Sequence, residues 1–126
     1  MLKQIFLATG LTLAVATAAY AAEPANILQT LKGATLVNAS GLTLYVFDKD
    51  PLGKSVCNGA CATNWPPFEA SDKAVSEGDY SIISRDDGAH QWAYKGRPLY
   101  RWVKDVKPGD ILGDGLLGGA WHVAQP

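Results

Sequence analysis

The stretch Gly41-Leu-Thr-Leu-Tyr45-Val-Phe47-Asp-Lys-Asp50 is written a second time as Gly96-Arg-Pro-Leu-Tyr100-Arg-Trp102-Val-Lys-Asp105, 55 positions on. Glycine, leucine, tyrosine, a second aromatic, lysine and aspartate all fall on their equivalents. One inserted residue carries the match further, so that Gly53 falls on Gly109, Gly59 on Gly115 and Trp65 on Trp121. An internal repeat of this kind means that one supersecondary unit is built twice and that the units cover each other's apolar faces.

Working outward from the two copies, Thr35 to Val37, the turn Asn38-Ala39-Ser40-Gly41 and Leu42 to Phe47 read as a β-hairpin. The second copy reads the same way from Ala89 to Tyr94, Lys95-Gly96 and Arg97 to Trp102, and Tyr80 to Arg85 adds a strand through Asp86-Asp87-Gly88, giving a three-stranded meander. Alternate strand residues share a face. Tyr45 with Phe47, and Tyr100 with Trp102, therefore define the expected core face, while Leu42 and Val46 become Arg97 and Arg101 on the other. Trp65 and Trp121 are expected to close the core of each repeat. The 13 glycines and seven prolines argue against a helical bundle. The fold class expected is all-β, a small sandwich or barrel of two tandem pseudo-symmetric repeats, at about residues 34–70 and 89–126 of one domain, 34–126.

Ahead of that domain, Lys3, an apolar run from Ile5 to Ala19 and the small-residue site Ala19-Tyr20-Ala21 have the order of an export signal, with cleavage expected after Ala21. The run is short for a membrane span of about 20 residues. A leader over 22–33 follows, in which Ile27, Leu28 and Leu31 are spaced for a short helix between Glu23 and Lys32. Residues Pro66 to Asp79, rich in proline, serine and charge, read as a looser connector between the repeats. With 11 basic and 12 acidic residues the chain lacks the basic stripe of a nucleic-acid binder. No cysteine lies near the cleavage site to receive a lipid. The expected location is the periplasm or the medium, without a lipid anchor.

Taken together, Tyr45-x-Phe47-x-x-Asp50, Tyr100-x-Trp102-x-x-Asp105, Cys57-Asn-Gly-Ala-Cys61, Trp65-Pro66-Pro67, Asp87-Gly88, Gln91, Tyr94 to Tyr100, and Gly113-Asp114-Gly115 with Trp121 resemble the secreted-repeat family of predicted bacterial lipoproteins. The resemblance covers nearly all of the chain that follows the export signal. It implies an exported, repeat-built protein and names no reaction; the lipid anchor in the family label does not carry over to a chain without a lipidation cysteine.

Cys57 and Cys61 are the only cysteines, and an even pair in an exported chain is expected to oxidise to a local disulfide. The second repeat has Gly113 and Leu117 in their places, so the bridge decorates the repeat and does not define it. The competing reading is a redox or copper site, with two soft thiolates at a spacing seen in copper-delivery proteins and His90 or His122 as a further ligand. Asp48, Asp50 and Gly53 imitate the opening of a calcium loop, but Leu52 and Gly59 break the pattern. Asp50 and Asp105 are instead expected to accept backbone N–H groups in the turn after each strand. No nucleophile elbow is present, and nothing in the spacing of the carboxylates selects an acid–base pair. The functional expectation is a non-catalytic binding or envelope-structural module without cofactor; the sequence does not name its partner, for which a component of the cell envelope is one candidate. The alternative is a periplasmic redox or copper-handling protein using Cys57 and Cys61, and a glycan enzyme comes third.

Overall fold

The computed structural model describes residues 23–126; the export-signal reading over 1–21 lies outside them. Seven short strands and two single-turn helices make up the domain, with order β1 (Asn26–Thr30), β2 (Gly33–Val37), β3 (Tyr45–Phe47), α1 (Ala60–Asn64), β4 (Tyr80–Ser84), β5 (His90–Tyr94), β6 (Arg97–Pro98), α2 (Leu116–Gly119) and β7 (Trp121–Val123). They form antiparallel sheets β1-β2, β3-β7 and β4-β5-β6. The all-β expectation holds as a set of small sheets, with no closed barrel among the described residues, and the expected meander is β4-β5-β6.

The leader corrects one expectation. Residues 26–30 are not helical; they form β1, in register with β2 from Asn26↔Val37 to Thr30↔Gly33. Ile27 and Leu31 are exposed, so the helical spacing of apolar residues covers no core. A helix of this length is marginal by itself, whereas the strand gains a ladder across a turn at Leu31-Lys32 that ends on Gly33 with φ 89°.

The repeats are interlocked, each lending its last segment to the other. Leu36, Leu44 and Ala124 form a backbone triangle, in which Leu36 N–H donates to Ala124 O (2.8 Å), Ala124 N–H to Leu44 O (2.8 Å) and Leu44 N–H to Leu36 O (2.9 Å). The same triangle joins their equivalents Trp92, Phe68 and Leu99, at 2.8 Å, 2.8 Å and 3.0 Å. Ala124 therefore sits on the first repeat's strands and Phe68 on the second's. Asp48 N–H reaches Ala120 O and Val103 N–H reaches Asn64 O in the same exchanged sense. This exchange also corrects the expected loose connector, because Pro66 to Ala70 is hydrogen-bonded into the second half through Arg101, Leu99, Trp92 and His90. It also takes β3 out of its expected hairpin. The turn at Asn38 forms and Val37 bridges Thr43, but Tyr45 to Phe47 then pair with β7.

A pseudo-twofold axis passes between Tyr45 and Tyr100, whose backbones exchange two hydrogen bonds, Tyr45 N–H to Tyr100 O at 2.8 Å and Tyr100 N–H to Tyr45 O at 3.0 Å. Both faces of this central pair are buried. One meets Leu36, Leu44, Val46, Leu99 and Tyr80; the other meets Phe47, Trp65, Trp121 and the disulfide. The Val46 face is thus a second core, where parity alone pointed to a single aromatic one. A ring of this size buries about 150–250 Å², on the order of 4–6 kcal/mol gross, so the aromatic side dominates.

Candidate functional site

The turn after each central strand carries the aspartate of the repeat motif. As expected, each aspartate accepts a backbone N–H within its own repeat: Val56 N–H donates to Asp50 Oδ1 (2.8 Å) and Leu112 N–H to Asp105 Oδ1 (3.0 Å). The second oxygen does something the sequence did not reveal. Tyr45 Oη donates to Asp105 Oδ2 at 2.5 Å, and Tyr100 Oη donates to Asp50 Oδ2 at 2.6 Å. Each motif therefore closes only through its partner copy. Burial pushes both carboxyls up, opposed by these donors, and burial likewise pushes both phenols up. A phenol held neutral beside a carboxylate in low dielectric is a firm brace.

Behind Tyr100 lies a buried cation. Arg85, at the end of β4 and 5 % exposed, donates from Nη1 to Ser55 Oγ (2.9 Å) and Gln91 Oε1 (2.7 Å), and from Nη2 to Cys57 O (2.6 Å). Ser55 Oγ is 2.6 Å from Tyr100 Oη, and Gln91 Nε2 donates to Leu99 O, so the network runs from Arg85 through Ser55 and Tyr100 to Asp50. Sequence reasoning missed Arg85 and Ser55. The available signal was one arginine directly after the β-rich run Tyr80-Ser-Ile-Ile-Ser84. Among the described residues, Arg85 Nε is the one buried side-chain nitrogen or oxygen without a hydrogen-bond partner; its closest carboxylate contact is Asp87 at 4.0 Å.

The other aromatic residues of the motif form one continuous stack. Trp65 and Trp121, equivalent residues, lie face to face at 3.7 Å with their planes 2° apart. Phe47 stacks on Trp121 at 4.2 Å, and its equivalent Trp102 lies on Trp65 at 4.3 Å. Tyr45 and Tyr100 meet Trp65 and Trp121 edge-on. The tryptophans thus close the core as expected, but jointly across the axis. The stack needs Gly113, because a Cβ there would come within 2.7 Å of the Trp65 ring. Trp102 alone of these rings is only half-buried. It opens onto a cleft of about 390 Å³ lined by Cys61, Asn64, Trp65, Trp102, Leu116, Leu117 and Trp121. Leu116 and Leu117 are 37 % and 64 % exposed, and Leu117 holds φ 55°, a backbone region unfavourable to leucine.

Cys57 and Cys61 are bonded, with Sγ–Sγ 2.02 Å, Cys57 fully buried and Cys61 partly open. The remaining members of the copper set are elsewhere. His122 Nε2 lies 2.6 Å from Asp48 Oδ2 on β7, and His90 Nδ1 lies 3.6 Å from Asp72 Oδ1 on β5. Among the described residues, no three His, Cys, Asp or Glu side chains converge on a metal position. The structure brings together Tyr45, Phe47, Asp50, Trp65, Tyr100, Trp102, Asp105, Trp121 and the disulfide, and leaves His90 and His122 apart.

The architecture and its cross-braced motif define a class of protein, a small β-domain built from two interlocked copies of one repeat. Residues 27–69 and 81–125 each match the family described as a secreted repeat of unknown function, and the chain belongs to that family. No curated protein and no solved structure matches it. No helix among the described residues is long and apolar enough to cross a membrane.

Proposed function

We propose that this protein is a non-catalytic binding or structural module of the cell envelope, released into the periplasm or the medium after cleavage near Ala21 and free of a lipid anchor, and that its ligand enters the Trp102 cleft. The observation that carries this reading is the division of labour between the polar groups and the cleft. Asp50, Asp105, Tyr45 and Tyr100, the polar side chains of the repeat motif, hold the two repeats together, and Arg85 braces them. The cleft is lined by indole rings, leucines, one amide and a disulfide. A pocket of this size, mostly apolar with one polar side chain, suits an uncharged ligand that lays a flat face on an indole. A pyranose ring presents such a face of C–H groups, and Asn64 offers an amide for its hydroxyls.

The test is a tryptophan-fluorescence titration of the mature protein with a soluble chitooligosaccharide, with mass spectrometry of the glycan after long incubation. Saturable quenching that is lost in Trp102→Ala, with the glycan intact, is the expected result. Cleaved glycan would overturn the non-catalytic reading, and an unresponsive Trp102 would remove the cleft as the glycan site. Mass spectrometry of the protein recovered from the export compartment should find a chain that begins at Ala22.

A further inference from the structure

We propose that the Cys57–Cys61 bridge is an exchange disulfide, opened by a thiol at Cys61, which gives the chain a stoichiometric redox function separate from ligand binding. Two observations carry this. The first comes from comparing the repeats: the second carries Gly113 and Leu117 in place of the cysteines, turns Leu117 and Gly118 to positive φ where α1 is regular, and still stacks Trp121 on Trp65. The bridge therefore shapes the backbone path around Cys61 and is not what seats the tryptophan of the repeat. Closing so short a loop also removes little chain entropy, so stability is a weak reason for it.

The second observation is asymmetry. Cys57 is fully buried among Tyr45, Trp65 and Tyr100, whereas Cys61 is partly open and lines the Trp102 cleft, whose apolar walls leave room for an incoming thiol. Access therefore selects which sulfur is attacked. The buried cysteine is also the anchored one, since Arg85 donates to Cys57 O at 2.6 Å.

The exchange balances with a dithiol as the reductant. Its thiolate attacks Cys61 Sγ and forms a mixed disulfide; the Cys57–Cys61 bond breaks, and its electron pair leaves on Cys57 Sγ. The second thiol of the reductant then attacks its own sulfur in the mixed disulfide and releases Cys61 as a thiolate. Protons from the two reductant thiols end on solvent or on the new cysteine thiols. The chain gains two electrons and the reductant leaves oxidised to its disulfide.

The experiment uses the mature oxidised protein in a reduced-glutathione buffer, acid-quenched at intervals and peptide-mapped, while far-ultraviolet circular dichroism and tryptophan emission are followed. Expected is a glutathione adduct at Cys61 that precedes full reduction, with the folded signals retained. An adduct at Cys57, or reduction only in step with global unfolding across a denaturant series, would overturn the proposal. A second measurement compares single-cysteine variants toward an aromatic disulfide reagent. The Cys61 thiol left in Cys57→Ser should react about 100-fold faster than the Cys57 thiol left in Cys61→Ser, and equal rates would count against an asymmetric site.

Discussion

Tyr45, in the first repeat, donates its phenolic O–H to Asp105 in the second across 2.5 Å, and the reciprocal bond from Tyr100 to Asp50 is 2.6 Å. The tyrosine and aspartate of the motif are thus a contact between copies. Each copy donates to one oxygen of its own aspartate and leaves the second oxygen to the other copy's tyrosine, which ties the two repeats together.

That reciprocity fixes the pattern of energetic coupling. Tyr45→Phe should cost about 1–3 kcal/mol by leaving the Asp105 carboxylate short of a donor. In a double-mutant cycle it should couple to Asp105→Asn by at least about 0.5 kcal/mol, and more weakly to Asp50→Asn, its neighbour in sequence. Urea unfolding of the six proteins, the parent, three single variants and two double variants, measures both terms.

The phenols set the alkaline limb of stability. Burial pushes Tyr45 and Tyr100 upward and takes Tyr80 to about 12. Above the ordinary tyrosine value of 10.0 the unfolded chain loses these protons first, so stability falls as pH rises from there. Phenolate absorbance from these three rings should therefore appear together with loss of the folded dichroism signal, and an earlier rise would show them open to hydroxide.

On the acid side two sets of aspartates oppose each other. Lys107 holds Asp110 down at about 2, so its contribution is present above 3.8 and is lost as pH falls from there toward 2. Asp50 and Asp105 are raised, so the folded state gains stability as pH falls through their folded values toward 3.8. Asp110→Asn should flatten the acid limb below 3.8, and Asp105→Asn should remove part of the gain above it; urea midpoints against pH distinguish the two.

Gly113 supports the aromatic stack by having no side chain. Gly113→Ala would place a methyl group within 2.7 and 2.9 Å of the Trp65 ring and 3.0 Å of Trp102 Cβ. Overpacking of this kind costs about 1–3 kcal/mol and should shift tryptophan emission along with the thermal midpoint.

Trp121 and Trp102 should separate stability from binding. Trp121, 1 % exposed at the centre of the stack, should cost about 3–5 kcal/mol when truncated to alanine. Trp102→Ala, at the open end, should cost clearly less in calorimetry while removing the wall of the cleft. Equal losses would make Trp102 a core residue only.

Much of this was legible in the chain itself. The duplication at Tyr45 and Tyr100, the aromatic parity of the central strands, the glycine turns and the oxidised cysteine pair follow from local chemistry and spacing, which sequence records directly. The β1 strand was hidden because its ladder comes from β2, and helical spacing at Ile27 and Leu31 says nothing about what those residues face. Arg85 was hidden because its partners Ser55 and Cys57 lie far from it along the chain.

By itself the sequence determined that one unit is built twice, that it is β-rich and aromatic, and that its bridge belongs to one copy alone. Only the tertiary structure decided that the copies trade their final segments, that each aspartate serves the other copy's tyrosine, and that Trp65 meets Trp121 across an axis with Trp102 left open at the end. A repeat in sequence specifies equivalent surfaces but not which of them pair. Pairing within a copy and pairing between copies use the same residues, and burial of both faces of the central strands, available only when the segments are exchanged, selects between them.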